Sequence, residues 1–244
     1  MTGRTELRDA QRILVLSGAG LSTGAGIPDF RGPQGLWTKD PLAERISTLS
    51  WYLGDTEVRK KAWQYRAESP IWDATPTRAH LAIVELERQG RLLGIVTQNT
   101  DGLHQLAGSS PGLVHEVHGS ARTWRCEDCR ATGPMTEMVE RVRAGEADPR
   151  CACGGIVRAT TILFEEALDP DVLDAAVACA EGCDAIIAVG TGLGVHPVAG
   201  LFPYAIAHGA FGVIVNGEET AYDHLAHRIV RGDIQEALPR LLQS

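Results

Sequence analysis

A glycine-rich stretch that directly follows a short apolar run constrains the fold of this chain most strongly. The run Ile13-Leu14-Val15-Leu16 predicts a buried parallel strand. It leads into Ser17-Gly18-Ala19-Gly20-Leu21-Ser22-Thr23-Gly24, where glycines let the backbone approach a bound group closely. A helix beginning near Leu21 would direct free N–H groups towards a pyrophosphate. The glycine spacing is one residue longer than the usual dinucleotide fingerprint, which argues against a standard dehydrogenase loop.

The residues after this loop contain too many turn formers for a long helix. Gly26, Pro28 and Gly32 bracket the cluster Asp29-Phe30-Arg31. We therefore expect a polar and aromatic flap that covers the same ligand.

Short apolar segments alternate with helical patterns along the rest of the chain. Further strands or extended segments are predicted at 92–97, 114–117, 160–164, 185–189, 212–215 and 228–230, and helices at 57–68, 77–89, 169–180, 199–208 and 234–242. In the helix at 77–89, we expect Leu81, Val84 and Leu86 on the buried side. The alternation predicts an α/β fold with a doubly wound parallel sheet.

Polar residues collect where three of the predicted strands end. Gln98-Asn99-Thr100-Asp101 follows the strand at 92–97, His118-Gly119 follows 114–117, and Gly190-Thr191-Gly192 follows 185–189. Ligands of open α/β sheets bind beyond the carboxyl ends of the strands, so position alone suggests a site. A turn capped by Asn and Asp, or a structural histidine, would give the same local pattern.

Four of the six cysteines form two close pairs, Cys126-x-x-Cys129 and Cys151-x-Cys153. Four thiolates in two such pairs predict a tetrahedral structural zinc site, which leaves no open position for water. A single Cys-x-x-Cys could instead be a redox motif, but the second pair favours zinc.

The charge and the apolar content of the chain limit the classes of partner that we expect it to bind. The net charge of −8 argues against a nucleic-acid surface. The polar N-terminal residues show no signal peptide, and no uninterrupted apolar run approaches bilayer length, so we expect no membrane partner and a cytoplasmic protein.

Taken in order, these motifs resemble those of the sirtuins, which are NAD-dependent protein-lysine deacylases. The resemblance runs from about Ile13 to Asp233 and rests on the glycine loop, 98–101, His118-Gly119, the four cysteines and Gly190-Thr191. It implies a Rossmann-like domain (1–32, 75–120 and 159–244) and a small helical and zinc-binding subdomain (33–74 and 121–158). It further implies NAD as co-substrate and acyl-lysine proteins as substrates. The sequence does not give the oligomeric state, for which our expectation is a monomer.

The resemblance also implies roles for individual residues. His118 would be the general base, and Asn99 and Asp101 would complete the catalytic set by lining the nicotinamide pocket. The implied NAD-binding residues are Gly18, Ala19, Gly20, Ser22, Asp29, Phe30, Arg31, Trp37, Gln98, Asn99, Asp101, Gly190, Thr191, Gly192, Asn216, Gly217, Glu218 and Ile234. The implied substrate residues are Ile162, Phe164, Val195 and Arg66, and 162–164 would pair with an extended substrate backbone.

The resemblance favours deacetylation, and alternatives remain. Relatives that remove acidic acyl groups carry Tyr-x-x-Arg in a helix where this chain has Trp63-Gln64-Tyr65-Arg66, so succinyl or malonyl removal is one alternative. Arg66 could form a salt bridge with the carboxylate of such an acyl group, but we expect it to be an exposed helix arginine. Protein mono-ADP-ribosylation is a second alternative, and a non-catalytic NAD-binding module is a third.

Two departures from the family pattern stand near the implied sites. Glu165 replaces a glycine after Phe164, and a positive φ there would cost on the order of 1 kcal/mol. Gly192 replaces a serine after Gly190-Thr191, which removes one hydroxyl from the nucleotide site. We expect the chemistry to be retained and the peptide preference or the rate to change.

Overall fold

Nine strands form two sheets in the computed structural model, which describes residues 6–29 and 41–243, with the side chains of 41–43 left out. The strands are β1 (Ile13–Ser17), β2 (Leu92–Thr97), β3 (Val114–Glu116), β4 (Thr123–Cys126), β5 (Thr132–Pro134), β6 (Val157–Ala159), β7 (Ala185–Val189), β8 (Phe211–Val215) and β9 (Arg228–Val230). The helices of the described residues are α1 (Pro41–Ile46), α2 (Leu49–Gly54), α3 (Thr56–Ala67), α4 (Arg78–Arg88), α5 (Leu103–Ala107), α6 (Met135–Arg143), α7 (Pro170–Gly182), α8 (Leu201–Ala207) and α9 (Ile234–Gln243).

The larger sheet is parallel throughout and has the strand order β3-β2-β1-β7-β8-β9. The chain builds outward from β1 to β3 on one side and from β7 to β9 on the other. The strand order therefore reverses between β1 and β7, which is where open α/β sheets bind their ligands.

Successive side chains of the strands pack into two separate cores. Ile13 and Val15 pack on one face with α4 and α9, while Leu14 and Leu16 pack on the other with α7 and α8. Both faces are covered, which explains why the central strands β1, β2, β7 and β8 are largely apolar. The α/β prediction is confirmed.

A second, antiparallel sheet has the order β5-β4-β6. It packs with α3 and α6 around a third core that contains Trp63, Trp124 and Met135. The cysteine pairs lie in this part of the chain. The expected domain boundaries stay a prediction.

Three local expectations differ from the structure. Leu81 is 52% exposed, because the buried side of α4 is formed by Ala79, Ile83, Val84 and Leu86 together with His80. Residues 160–164 form no strand and make only an isolated bridge between Phe164 and Thr48. The segment 199–208 divides into a 3₁₀ turn and α8. Among the described helices, none has the length and apolarity needed to cross a bilayer.

Candidate active site

The two glycine turns meet at the carboxyl edge of β1 and β7. Gly20 N donates to Gly190 O at 2.9 Å. A Cβ added to Gly18 would lie 2.7 Å from Gly190 O, and one added to Gly190, whose φ is +63°, would lie 2.3 Å from Leu21 N. Glycine is therefore required at these positions so that the two turns can stack.

The glycine loop itself differs from the expected helix. It forms two 3₁₀ turns, Ala19–Leu21 and Thr23–Ala25. Leu21 N donates to Gly18 O and Ser22 N to Ala19 O, both at 3.0 Å, so these N–H groups are already used. The Ala19 N–H donates to none of the described residues and remains available for a ligand.

A buried network connects this loop to the end of β2. The Ser22 hydroxyl donates to Asp101 Oδ2 at 2.6 Å, and Leu103 N donates to Asp101 Oδ1 at 2.8 Å. Asn99 Nδ2 donates to Gly18 O at 3.0 Å and to Ser22 Oγ at 3.2 Å. Both amide hydrogens of Asn99 are thus used, while Oδ1 accepts no hydrogen bond from the residues described here.

His118 lies beside the same edge with its tautomer fixed. Its Nδ1 lies 3.1 Å from Gln98 O, and because a carbonyl only accepts, Nδ1 carries the proton and Nε2 has a lone pair. Burial lowers the pKa of His118, partly offset by the bond to Gln98. Gln98 Nε2 in turn donates to Thr191 Oγ1 at 3.1 Å, which ties β2 to the second glycine turn.

Two buried histidines lie behind this edge, and the sequence analysis assigned them no role. His104 Nε2 lies 2.9 Å from Ser17 Oγ, which donates to Thr97 Oγ1, and Thr97 Oγ1 accepts from Asn99 N. His80 Nδ1 accepts from Thr77 N, and its ring centroid lies 5.0 Å from that of His104. Burial lowers the pKa of His80 to about 4 and that of His104 to about 3, so both are neutral.

The sequence analysis also assigned no role to Glu116, an acid that interrupts the apolar segment 114–117. Burial, followed by the charge of Asp101, raises the pKa of Glu116 to about 7. Arg122 lies close to both acids, and its Nε donates to Asp101 O at 2.5 Å. Arg122 therefore holds the backbone of Asp101, while Ser22 holds its side chain.

The predicted substrate segment lies against His118. Ile162 N donates to His118 O at 2.9 Å, and a Cβ on Gly119, whose φ is +69°, would lie 2.1 Å from Thr160 O. Phe164, 44% exposed, instead pairs with residues 47–49. Val195 is partly buried in the loop after Gly194.

The last of the implied NAD-binding residues follow β8 and begin α9. Asn216 Nδ2 donates to Glu218 O at 3.0 Å, and the side chain of Glu218, like Gly217, is exposed. Ile234 begins α9. Its neighbour Gln235, which the sequence analysis missed, donates from Nε2 to Leu21 O at 3.1 Å.

Three implied residues, Phe30, Arg31 and Trp37, lie outside the described residues. Asp29 is partly buried. Arg66 was expected on an exposed helix face, and this is wrong: it is partly buried with its guanidinium 5.0 Å from the Trp63 ring. Its Nη1 is buried and hydrogen-bonds to none of the described residues.

The two departures from the family pattern have different consequences. Glu165 does adopt a positive φ, +77°. A Cβ at Gly192 would meet nothing within 4 Å, so the backbone does not require glycine there.

The four cysteines fit zinc. Their sulfur atoms all lie within 4.8 Å of one another, with 3.6 Å between Cys126 and Cys153 and 3.6 Å between Cys129 and Cys151. Four zinc–sulfur bonds of about 2.3 Å in a tetrahedron place the sulfurs about 3.8 Å apart. A disulfide needs about 2.05 Å. The cluster is a structural zinc site in its ligand set and spacing.

Comparisons with known proteins agree with this architecture. The model of the Sir2 family matches residues 18–197. The chain is 49% identical over 232 residues to NAD-dependent protein deacetylase 2 of Streptomyces coelicolor, covering 95% of this chain and 96% of that protein. It is 37% identical to the NAD-dependent protein deacetylase of Sulfolobus acidocaldarius, covering 94% of this chain and 88% of that protein.

Solved structures agree as well. A structure described as the basis for the mechanism and regulation of Sir2 enzymes matches with a TM-score of 0.86 and 38% identity, covering 96% of this chain and 92% of that one. A structure of a Sir2 histidine variant with a deacetylated p53 peptide and 3′-O-acetyl ADP-ribose matches with a TM-score of 0.88 and 29% identity. The match covers 97% of this chain and 94% of that one. The chain belongs to the Sir2 family.

Proposed function

We infer that this chain is an NAD-dependent protein-lysine deacetylase, which releases nicotinamide from NAD and transfers the acyl group of a lysine to ADP-ribose. One observation carries this inference. A neutral imidazole with a free Nε2 lies at the same sheet edge as the buried network of Ser22, Asn99 and Asp101. The relatives from S. coelicolor and S. acidocaldarius are named for the same activity.

The open side of this edge suits a dinucleotide. Among the described residues the Ala19 N–H has no acceptor and Asn99 Oδ1 has no donor, which suits them to a pyrophosphate oxygen and to the amide of nicotinamide, respectively. A Cβ at Gly192 or Gly217 would meet nothing within 4 Å, so the space there is open. NAD, when bound, supplies a sugar carbon that becomes electrophilic as nicotinamide leaves.

The buried network would act on the departing nicotinamide. Asn99 and Asp101 are each 6% exposed, so water screens their dipole and charge little. Because Ser22 and Leu103 hold the carboxylate of Asp101, it needs no rearrangement during the reaction. We expect Asn99 to orient the carboxamide and Asp101 to complete the polar wall of a dry pocket.

His118 would move the proton. Its lowered pKa keeps Nε2 unprotonated near neutral pH, ready to accept a proton from a sugar hydroxyl. The bond from Nδ1–H to Gln98 O holds the ring and stabilises the imidazolium that forms.

Mass spectrometry of an acetyl-lysine peptide, with and without NAD, tests the function. Wild-type protein should remove the acetyl group only when NAD is present. His118→Tyr should remove none, while His208→Tyr, a change at an exposed histidine that follows α8, should behave as wild type. Acetyl peptide left intact by folded wild-type protein with NAD would contradict the inference.

Removal of acidic acyl groups is a second candidate, favoured by the buried Nη1 of Arg66, which hydrogen-bonds to none of the described residues. A buried N–H group without an acceptor is costly, and a carboxylate would satisfy it. Arg66 lies against Trp63 and Trp72 rather than against His118 or Asn99, so deacetylation remains our conclusion. Comparing kcat/KM for acetyl- and succinyl-lysine peptides decides, because dominant desuccinylation that is lost in Arg66→Met would favour the second candidate.

We further propose that the protein acts as a monomer on acyl-lysine segments of other proteins, in the cytoplasm. None of the six cysteines forms a disulfide, and four of them lie at zinc-ligand spacing, which suits a reducing compartment. Light scattering coupled to size-exclusion chromatography would test the monomer.

A further inference from the structure

The turn after Phe164 combines an unfavourable backbone with an unusual side-chain contact. Glu165 has a φ of +77°, a region that disfavours residues with a Cβ. Its carboxylate accepts two hydrogen bonds, from Ser50 N to Oε2 and from the Ser50 hydroxyl to Oε1, both at 2.9 Å. The carboxylate thus reaches the first turn of α2, whose cap residue Thr48 makes no side-chain cap bond.

The backbone beside Glu165 is held to the same place. Phe164 N donates to Ser47 O at 2.8 Å, and Leu49 N donates to Phe164 O at 3.2 Å. Four hydrogen bonds therefore join residues 164–165 to residues 47–50. At its other end the segment is held to the active site, because Ile162 N donates to His118 O at 2.9 Å.

We propose that Glu165 is a positioning residue for the acyl-peptide: its carboxylate fixes the turn that presents the substrate-pairing segment beside His118. The proposal rests on the proposed function and on the family resemblance, which assigns Ile162 and Phe164 to the peptide. An edge that is ordered before binding costs less entropy when a peptide adds to it as a strand. The carboxylate of Glu165 hydrogen-bonds to Ser50 and to none of the described residues assigned to NAD, so we expect its effect to fall on peptide binding.

Three variants separate this role from others. Glu165→Ala removes both hydrogen bonds but keeps the positive φ, and should raise the KM for an acetyl-peptide by about three- to tenfold with kcat unchanged within about twofold. Ser50→Ala removes only the hydroxyl and should raise KM by about two- to threefold. Glu165→Gln keeps an oxygen for Ser50 N and gains an NH₂ for the hydroxyl, so its KM should stay within about twofold of wild type.

Two controls test whether an effect on KM is specific to the turn at Glu165 and whether each variant is folded. Glu140→Ala, at an exposed position of α6, should leave KM unchanged. The affinity for ADP-ribose, measured by calorimetry, should stay within about twofold in every variant, which shows that the nucleotide side of the site is intact. Should Glu165→Ala fail to fold, Ser50→Ala carries the test.

The outcomes distinguish this inference from the function beneath it. If the wild-type enzyme is active and both Glu165→Ala and Ser50→Ala keep the wild-type KM for the peptide, the inference alone is overturned. A fall in the kcat of Glu165→Ala as large as the rise in its KM would also overturn it. So would a KM of Glu165→Gln as high as that of Glu165→Ala, since the charge of Glu165 and not its hydrogen bonds would then matter. A wild-type protein that removes no acetyl group would overturn the proposed function and this inference together.

Discussion

His118 illustrates how one contact decides what a side chain can do. In the sequence, His118 follows the predicted strand 114–117, but a structural histidine and a catalytic one both occur in that pattern. The bond of Nδ1–H to Gln98 O, which leaves Nε2 as a base, depends on the backbone geometry where β2 ends. The roles of Asn99 and Asp101 likewise stay predictions, although the structure brings both to Ser22.

The pH profile of deacetylation should report the pKa of His118. Because burial lowers that pKa below the ordinary value of 6.5, the base stays deprotonated to lower pH than a free histidine. We predict that kcat/KM falls on the acid side with a midpoint below 6.5. Unfolding curves over the same range serve as the control for stability. A midpoint above 6.5 would contradict the assignment.

Gly192→Ser tests a departure that the backbone does not require. The open space around Gly192 accommodates the side chain, so the melting temperature should stay within about 2 °C of wild type. If this turn binds NAD, the added hydroxyl should lower the KM for NAD, by about two- to fivefold for one hydrogen bond. An unchanged KM for NAD in a fully stable variant would remove residue 192 from the nucleotide site.

At the scale of elements, the buried parallel strands were the easiest to predict. Their apolar runs follow from burial on both faces. The extended segment at 160–164 was wrong as a strand because its partners are His118 and residues 47–49, which are distant in sequence. The exposed Leu81 shows that periodicity alone misplaced the buried side of α4, which includes the capping residue His80.

The zinc module should depend on each of its four cysteines. We predict one zinc ion per chain by elemental analysis, and unfolding or aggregation of Cys126→Ala, because structural zinc contributes directly to folding. Cys179→Ala, in α7 and outside the cluster, should keep its zinc. A folded, active wild-type sample without zinc would contradict this prediction.

The helix pair α4 and α5 should make stability depend on pH through His104. Its folded pKa of about 3 lies below the ordinary 6.5, so its contribution is present above 6.5 and is lost as pH falls towards 3. At pH 5 this loss is about 2 kcal/mol. We predict that His104→Gln is less destabilising, relative to wild type, at pH 5 than at pH 7, by about that amount in urea unfolding. An equal difference at both pH values would show that His104 is not buried as a neutral base.

At the scale of the whole molecule, the order of the motifs predicted the family and the fold. Contacts between segments that are distant in sequence could not be predicted from the sequence. No sequence pattern showed that the N–H groups of Leu21 and Ser22 are used within the glycine loop or that Gln235 reaches Leu21. Nor did any pattern show that Arg66 is partly buried, with an Nη1 that hydrogen-bonds to none of the described residues. Each depends on how elements separated along the chain pack together. The same packing brings the ends of β1, β2 and β7 to one edge and so creates the site.

The stoichiometry of products tests the central claim most directly. Wild-type protein with NAD and an acetyl-lysine peptide should release one nicotinamide and form one acetyl-ADP-ribose for each acetyl group removed, as quantified by chromatography and mass spectrometry. Free acetate formed without consumption of NAD, or nicotinamide released with the ADP-ribose left on protein, would contradict it.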